Sequence, residues 1–527
     1  MAIEPKKIKI GILSSFTIKG LGEVLEKECA ALVLDPDFYV AEYEKIYDEI
    51  LNKKSGLEDF KPDISFFLVN PGEENILSII PKFLENITGT VVVSNAPLLS
   101  YSPFGIADFK REDSFKNAVL EFNHKLSQLA KNNNRLFVYD LAAFFSKYGE
   151  YNIVEEKLRL LGDMYIKPEF ISKLAYELMG FVKARFSKNK KCIVLDLDNT
   201  LWGGIVGEDG FNGIQLDTKP PGNAFLEFQK YLLALNKRGI ILAIASKNNP
   251  KDALKVLREH PYMQLREENF GSIQISWGNK TDSIRKIAEE LNIGLDSLVF
   301  IDDDPFNREL VKKELPEVMV MDLPEDPALY TRTIKELNDF NILQITEEDL
   351  KRGELYAKQK QMSEYKNQFS NIDDFLASLN MEIKIAPADA FTIPRISQLI
   401  QKTNQFNLTT RRYSEDDVKK FVDGLNTRVY SVHVKDIFTD HGLIGVMMVK
   451  NNALSLVIDN MLLSCRVIGR NIENKMLDFI KEEARKQGAK EIIGEYIPTE
   501  KNTVCAALYS SYGFNVLGEN KFKLILS

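Results

Sequence analysis

Short, wholly apolar runs recur along the first two thirds of the chain, each followed by a stretch with helical spacing of its apolar positions. Such runs predict strands buried on both faces, and their alternation with helices predicts parallel, doubly wound sheets. In residues 1–188 the runs are Ile8–Leu13, Ile64–Val69, Val91–Val93 and Leu136–Tyr139, with a helix over Phe115–Leu129. In residues 189–345 they are Cys192–Leu195, Ile240–Ala245 and Leu298–Ile301, with helices over Ala224–Lys237 and Asp282–Leu291. The polar run Ser187–Lys191 reads as a linker between the two. The pattern then changes. Thr346–Asn380 is charged and predicts a helical connector, after which Glu382–Ile385, Val429–Val434, Gly442–Val449 and Leu454–Ile458 predict strands. The last two read as a hairpin within an antiparallel sheet. A helix over Ile472–Lys486 follows, so residues 381–527 form a mixed α+β domain. The expected fold class is α/β overall: two parallel-sheet domains, a connector over 346–380, and a mixed domain.

Length agrees, since 527 residues are too many for one core. The net charge of −8 has both signs interspersed, which predicts no broad attraction to nucleic acid or an anionic membrane. Four widely spaced cysteines show neither metal nor disulfide spacing and suit a reducing cytoplasm. No signal-peptide core precedes Ile8, and no apolar run approaches the ~18 residues that span a bilayer. A soluble cytoplasmic protein is expected.

The candidate chemistry centres on Asp196-Leu-Asp198-Asn-Thr200, directly after the Cys192–Leu195 run. A parallel strand delivers such residues to the edge where open sheets bind ligands. Two carboxylates so close are costly without a cation, and Mg²⁺ is the hard ion that wants carboxylate and phosphate oxygens. Asp196 can then attack phosphorus while Asp198 acts as general acid and base. An acidic turn after a strand is the bland alternative. The following strand ends in Ser246-Lys247-Asn248, where a small hydroxyl can hold a phosphate oxygen. Lys280 opens the next helix and can offset charge on a transferring phosphoryl group. Asp302 and Asp303, after Leu298–Ile301, can complete a metal's oxygen shell. Thr200 joins the candidate catalytic residues, and Asn199, Lys247 and Asn248 are candidate contacts to a small phosphorylated metabolite.

In the last third, Ser464-Cys-Arg466-Val-Ile-Gly469-Arg470-Asn471 feeds a helix N-terminus, a site for an anion such as a pyrophosphate. Cys465, beside Arg466 and before that helix, is a candidate acyl-carrying thiolate; a small core residue is the alternative. Arg411 and Arg412 suit phosphate recognition, or else belong to a solvated turn. Asn502 is a further candidate contact. This last stretch resembles GNAT-type acyltransferases, which often have their general acid where Tyr509 falls; core packing alongside Phe514 is the equal alternative.

The order strand-Asp-x-Asp-x-Thr, strand-Ser, Lys, strand-Asp-Asp resembles the haloacid dehalogenase (HAD) superfamily of phosphotransferases. That resemblance implies Asp196 as nucleophile, Asp198 as acid/base, Ser246 and Lys280 as phosphate grips, and Mg²⁺ held by Asp196, the Asp198 carbonyl, Asp302 and Asp303. The first domain resembles SGNH hydrolases through Ser14-Ser15, Asn70 and Asp163, but Ile166 stands at the histidine position, so no hydrolase is expected. The last domain resembles GNAT acyltransferases. Arg466 and Gly469 match their loop pattern, whereas Asn471 stands where a small residue is usual. Val194–Gly204, Thr403–Tyr413 and Ser464–Gly469 together resemble FkbH-like proteins of HAD subfamily IIIC. The better-understood members of that family take a glyceryl group from 1,3-bisphosphoglycerate, remove phosphate and load the acyl group onto an acyl carrier protein. The resemblance implies a Mg²⁺-dependent phosphatase coupled to acyl transfer, with carrier-bound phosphopantetheine or CoA as the thiol cofactor. The alternatives are a stand-alone phosphatase with docking domains, or a silent carrier-binding scaffold.

Overall fold

The computed structural model describes residues 5–42, 45–52, 54–69, 76–346, 350, 365, 369, 371–452, 454–499 and 501–526. They form two compact units, Met1–Asn189 with Asn341–Leu343, and Lys190–Phe340 with Gln344–Ser527.

The first unit holds a parallel five-stranded sheet of β1 (Lys6–Ser14), β2 (Leu34–Val40), β3 (Ile64–Leu68), β4 (Thr90–Ser94) and β5 (Leu136–Tyr139), in the order β2-β1-β3-β4-β5. Every residue of β3 and β4 is buried, as helices on both faces require. One face packs on the helices Leu21–Ala31 and Pro168–Arg185, the other on Ile76–Asn86 and Phe115–Lys131. The sequence pattern misses β2, whose Leu34-Asp-Pro-Asp run looks like a turn. It is an edge strand, where proline and charge are tolerated.

The second unit opens with the parallel strands β6 (Cys192–Leu195), β7 (Ile241–Ser246), β8 (Phe270–Ile275), β9 (Leu298–Asp302) and β10 (Met319–Asp322), ordered β10-β9-β6-β7-β8. The central β6 is entirely buried. A mixed eight-stranded sheet follows: β11 (Glu382–Pro387), β12 (Phe406–Asn407), β13 (Thr427–Lys435), β14 (Asp440–Asn452), β15 (Ser455–Leu463), β16 (Glu491–Glu495), β17 (Asn515–Gly518) and β18 (Lys521–Ile525). Its path is β11-β13-β14-β15-β16-β18-β17, with β12 added to β15. The β14–β15 hairpin is as expected. Only β15 and β16 run parallel, joined by the helix Ile472–Lys486, and this is the GNAT-like sheet that the sequence leads one to expect. The expected connector falls mostly on residues 347–349, 351–364, 366–368 and 370, outside the described residues; Ile372–Ser378 is helical.

The mixed sheet meets the parallel one through Asn292, whose Nδ2 donates to the Cys465 carbonyl at 2.7 Å, and through the ion pair Lys501–Asp296. Cys465 packs against the apolar cluster that includes Cys192, Ile287, Leu291 and Leu298. Among the described residues, no helix is long and apolar enough to cross a membrane.

Candidate active site

Register alone brings the acidic residues together. In the parallel pairing of β6 with β9, Leu195 lies opposite Ile301, and the Asp196 amide donates to the Ile301 carbonyl at 3.0 Å. The next residues, Asp196 and Asp302, therefore emerge side by side at the same edge of the sheet. Carboxylate oxygens of Asp196, Asp302 and Asp303 lie within 4.8 Å of one another.

Lys280 is what the protein itself sets against this charge. Its Nζ donates to Asp196 Oδ2 at 2.8 Å and to Asp302 Oδ2 at 2.5 Å. Burial alone would lower its pKa, but the two carboxylates outweigh burial and hold it above the ordinary lysine value. One ammonium does not balance three carboxylates. Burial, with Asp196 and Asp302 as neighbours, pushes Asp303 up to about 6. Asp302 is raised by burial and by Asp196. Asp196 Oδ1 is buried without a hydrogen-bond partner. A buried, unpartnered carboxylate oxygen facing two more carboxylates is a donor set for a hard divalent cation, and Mg²⁺ fits it.

The surrounding residues fix this cluster. Arg308 Nη1 donates to the carbonyls of Asp302 (2.8 Å) and Asp303 (2.6 Å), which ties down the acidic loop. The Asp303 amide donates to Thr200 Oγ1 at 3.3 Å. Asp198 points elsewhere: its Oδ1 accepts from Trp202 Nε1 (2.8 Å) and the Val206 amide (3.1 Å), and its Oδ2 from Asn248 Nδ2 (2.7 Å). Burial raises its pKa, the direction a proton donor needs. Asn199 sits at φ 52°, turning the chain off the strand, and its Oδ1 accepts from the Gly204 amide. Ser246 is buried at the tip of β7. Lys247 Nζ reaches Asn307 Oδ1 at 3.5 Å. Trp277 and Phe306, both exposed, flank Lys280 and Asp304 in sequence. The sequence reading missed Arg308, Trp202, Trp277 and Phe306. Arg308 could have been found, because a helix starting at Pro305 turns residue 308 back over its own N-terminal loop.

Residues 188–324 match the family model described as acid phosphatase, and residues 69–183 match that of the FkbH N-terminal domain. The chain carries an FkbH-type N-terminal domain followed by a phosphatase domain of the HAD type. A solved structure of the N-terminal part of the protein BF1531 from Bacteroides fragilis, "containing phosphatase domain complexed with Mg", is 29% identical over 64% of this chain and 95% of its own, with a TM-score of 0.62. The mixed sheet also retrieves the ribosomal-protein-S18-alanine N-acetyltransferase of Escherichia coli (14% identity, 28% of this chain and 95% of that, TM-score 0.23). A GNAT family acetyltransferase from Elizabethkingia anophelis with acetyl-CoA bound is also found (16%, 27% and 98%, 0.21). No curated protein matches the chain.

The candidate residues of the GNAT-like module correct the sequence reading. Arg411 donates to the Asp459 carbonyl at 2.9 Å and pairs with Glu495 at 2.5 Å, so its guanidinium is engaged within the domain. Arg412 is turned onto the carbonyls of Ile400 and Thr403, closing the end of the helix Ile393–Lys402. Asn502 is fully buried and latches Asn407, Ile497 and Thr499. The Tyr509 hydroxyl is sealed in the core against Phe514 and Phe522, and burial pushes its pKa up. Arg470 Nη1 donates to Asp436 Oδ2 at 2.8 Å and Arg466 Nε to Ser464 Oγ at 3.2 Å. Gly469 does take φ 80°, with open space where a Cβ would stand. Cys465 lies in a 3₁₀ turn against the phosphatase core, with the helix starting only at Ile472. Asn292, which bonds the Cys465 carbonyl, precedes β9, and the cluster on which Cys465 packs includes Leu298 at the start of that strand, while Asp302 ends it. Four residues of strand, ~13 Å, separate the two ends.

In the first unit, Ile166 is buried, and Ser14 Oγ donates to the Phe16 carbonyl at 2.6 Å. The cavity there is lined by apolar residues including Phe16, Val69, Phe145 and Ile166. His124 is exposed on the helix Phe115–Lys131. Asn70 lies outside the described residues.

Proposed function

We propose that the chain removes a phosphoryl group from a small phosphorylated acyl metabolite and works with an acyl carrier protein. The observation that carries the phosphatase half is the Asp196–Lys280–Asp302–Asp303 cluster, with its excess of buried carboxylate. Asp196 attacks phosphorus, the P–O bond to the metabolite breaks, and Asp198 gives its proton to the leaving oxygen. Water then attacks the aspartyl phosphate, returning a proton to Asp198 and releasing inorganic phosphate. Asp196, the Asp198 carbonyl, Asp302 and Asp303 would hold Mg²⁺, which neutralises charge on the phosphoryl oxygens. Lys280, Ser246, Lys247 and Asn248 hold the phosphate.

Attack at phosphorus releases an acyl phosphate as a free carboxylate. Loading a thiol instead requires attack at the carbonyl carbon, with phosphate leaving. A substrate resembling 1,3-bisphosphoglycerate accommodates both, its ester phosphate going to Asp196 and its acyl phosphate to the thiol. The match to the FkbH N-terminal domain supports that setting. A second reading, a phosphatase whose flanking domains only dock partners, draws support from the engaged Arg411 and Arg412 and the sealed Tyr509.

The test is phosphate release from esters and acyl phosphates with Mg²⁺ or EDTA, with mass spectrometry of a candidate carrier in parallel. Asp196→Asn should lower Mg²⁺-dependent release by at least about a thousandfold. Release surviving that substitution would sink the nucleophile assignment, and release without carrier acylation would favour the second reading.

A further inference from the structure

A GNAT-like fold implies a pantetheine arm lying where its two adjacent parallel strands part. Here those strands are β15 and β16, which pair from Ser455–Glu491 to Ile458–Gly494 and then diverge. The gap is filled by the chain itself. Phe406 and Asn407 pair antiparallel with Leu463 and Leu462 on β15, and the Leu408 amide donates to the Met461 carbonyl at 3.1 Å. On the opposite side the Ile497 amide, just past β16, donates to the Leu408 carbonyl at 2.8 Å. The segment is thus hydrogen-bonded to both lips of the opening.

It is built in rather than laid on. Phe406 is 3% exposed, Asn407 and Leu408 0%. Asn502 Nδ2 donates to the Asn407 carbonyl at 2.9 Å, and Thr409 Oγ1 to the Asp459 carbonyl at 3.2 Å. Thr410, at φ 51°, folds back so that its amide donates to Asn407 Oδ1 at 2.8 Å. A non-glycine residue held in that conformation marks a turn the surroundings enforce. A pantetheine arm would need the same backbone groups of Met461–Leu463 that this segment already satisfies, since an extended chain adds to a strand through its free edge.

We infer that residues Phe406–Leu408 are the permanent occupant of the β15–β16 opening, and that this module takes no coenzyme A or carrier-borne pantetheine arm there. Any thiol that accepts an acyl group meets it elsewhere. The inference does not depend on the phosphatase reading.

It is tested by hydrogen–deuterium exchange and calorimetric titration of the full chain, with CoA, acetyl-CoA and 4′-phosphopantetheine each up to about 1 mM, where binding energy is ~4 kcal/mol. A cooperative thermal melt reports that each preparation is folded. The expected result is no saturable heat, with slow exchange over 403–413 and 459–463 that no ligand changes. Leu408→Ala should speed exchange over 403–413 without ligand, showing that the protection comes from this segment; unchanged protection there would count against the inference. If Leu408→Ala fails to fold, the wild-type comparison decides. Saturable binding with faster exchange over 403–413 would overturn the inference, because the arm would then displace the segment. Saturable binding with both regions still slow would put the ligand at another site and leave the occupant in place.

Discussion

Lys280 shows how far one side chain can organise a site. Its ammonium is the sole protein cation paired with the carboxylates of Asp196 and Asp302 among the described residues, and it is nearly inaccessible to water. Removing one partner of a buried charge cluster is far more damaging than its net contribution to stability, because the rest stay buried and uncompensated. Lys280→Met should therefore destabilise the protein by about 3 kcal/mol in EDTA. Mg²⁺ should restore much of that loss, since a ligand that binds only the folded state stabilises it. Thermal melts of both proteins with and without Mg²⁺ check this; a variant indifferent to Mg²⁺ would contradict the metal assignment. Arg308 works differently. It touches carbonyls rather than carboxylates, so Arg308→Ala should raise the Mg²⁺ concentration needed for half-maximal phosphate release while leaving saturated activity within about tenfold. Arg308→Lys, with one donor group in place of a fork, should recover only part of that.

At the scale of elements, the strand-tip positions of the candidate residues were legible because buried parallel strands have an unmistakable apolar pattern. The Asp196, Ser246 and Asp302 tips followed from it. Edge strands were not legible: β2 is broken by two aspartates and a proline, β10 is only four residues long, and both are only partly buried. Nor could sequence separate arginines that bind ligands from arginines that close helices. Arg412 looks free in a polar run, yet its donors go to carbonyls of a helix end nine and twelve residues back, a pairing only tertiary structure reveals. The β13–β14 hairpin holds a similar surprise. Asp436 Oδ2 accepts from His441 Nε2 (2.7 Å) and Arg470 Nη1 (2.8 Å), all three residues being buried. Burial alone would raise the Asp436 pKa, but the His441 bond and the Thr439 and Phe438 amides bring it down to about 2. A depressed carboxylate stabilises the fold fully above its unfolded value of ~3.9 and loses that contribution as pH falls toward 2. Asp436→Asn should cost about 3 kcal/mol near neutrality. Its unfolding curve should approach that of the parent protein below pH 3. A constant difference across that range would show that geometry, not charge, is at work.

For the whole molecule, the decisive fact is that the phosphatase tip and the contact with the GNAT-like module lie at opposite ends of the same strand. Asp302 ends β9, whereas Asp296 and Asn292, which meet Lys501 and Cys465, precede it. A thiol at Cys465 is thus remote from the phosphoryl group, and its apolar neighbours argue for packing rather than nucleophilic attack. Cys465→Ser changes little volume, so Mg²⁺-dependent phosphate release should stay within about twofold of the parent. Mass spectrometry of the intact chain after incubation with acyl phosphates should show no adduct that depends on this residue. Cys465→Asp should do the opposite to stability, since it forces a charge against the apolar cluster on which Cys465 packs. The resulting melting temperature should fall by several degrees, while the Mg²⁺ dependence of activity at low temperature is preserved. An acyl adduct on the parent chain that disappears in Cys465→Ser would reverse this argument and put a covalent step at the module boundary.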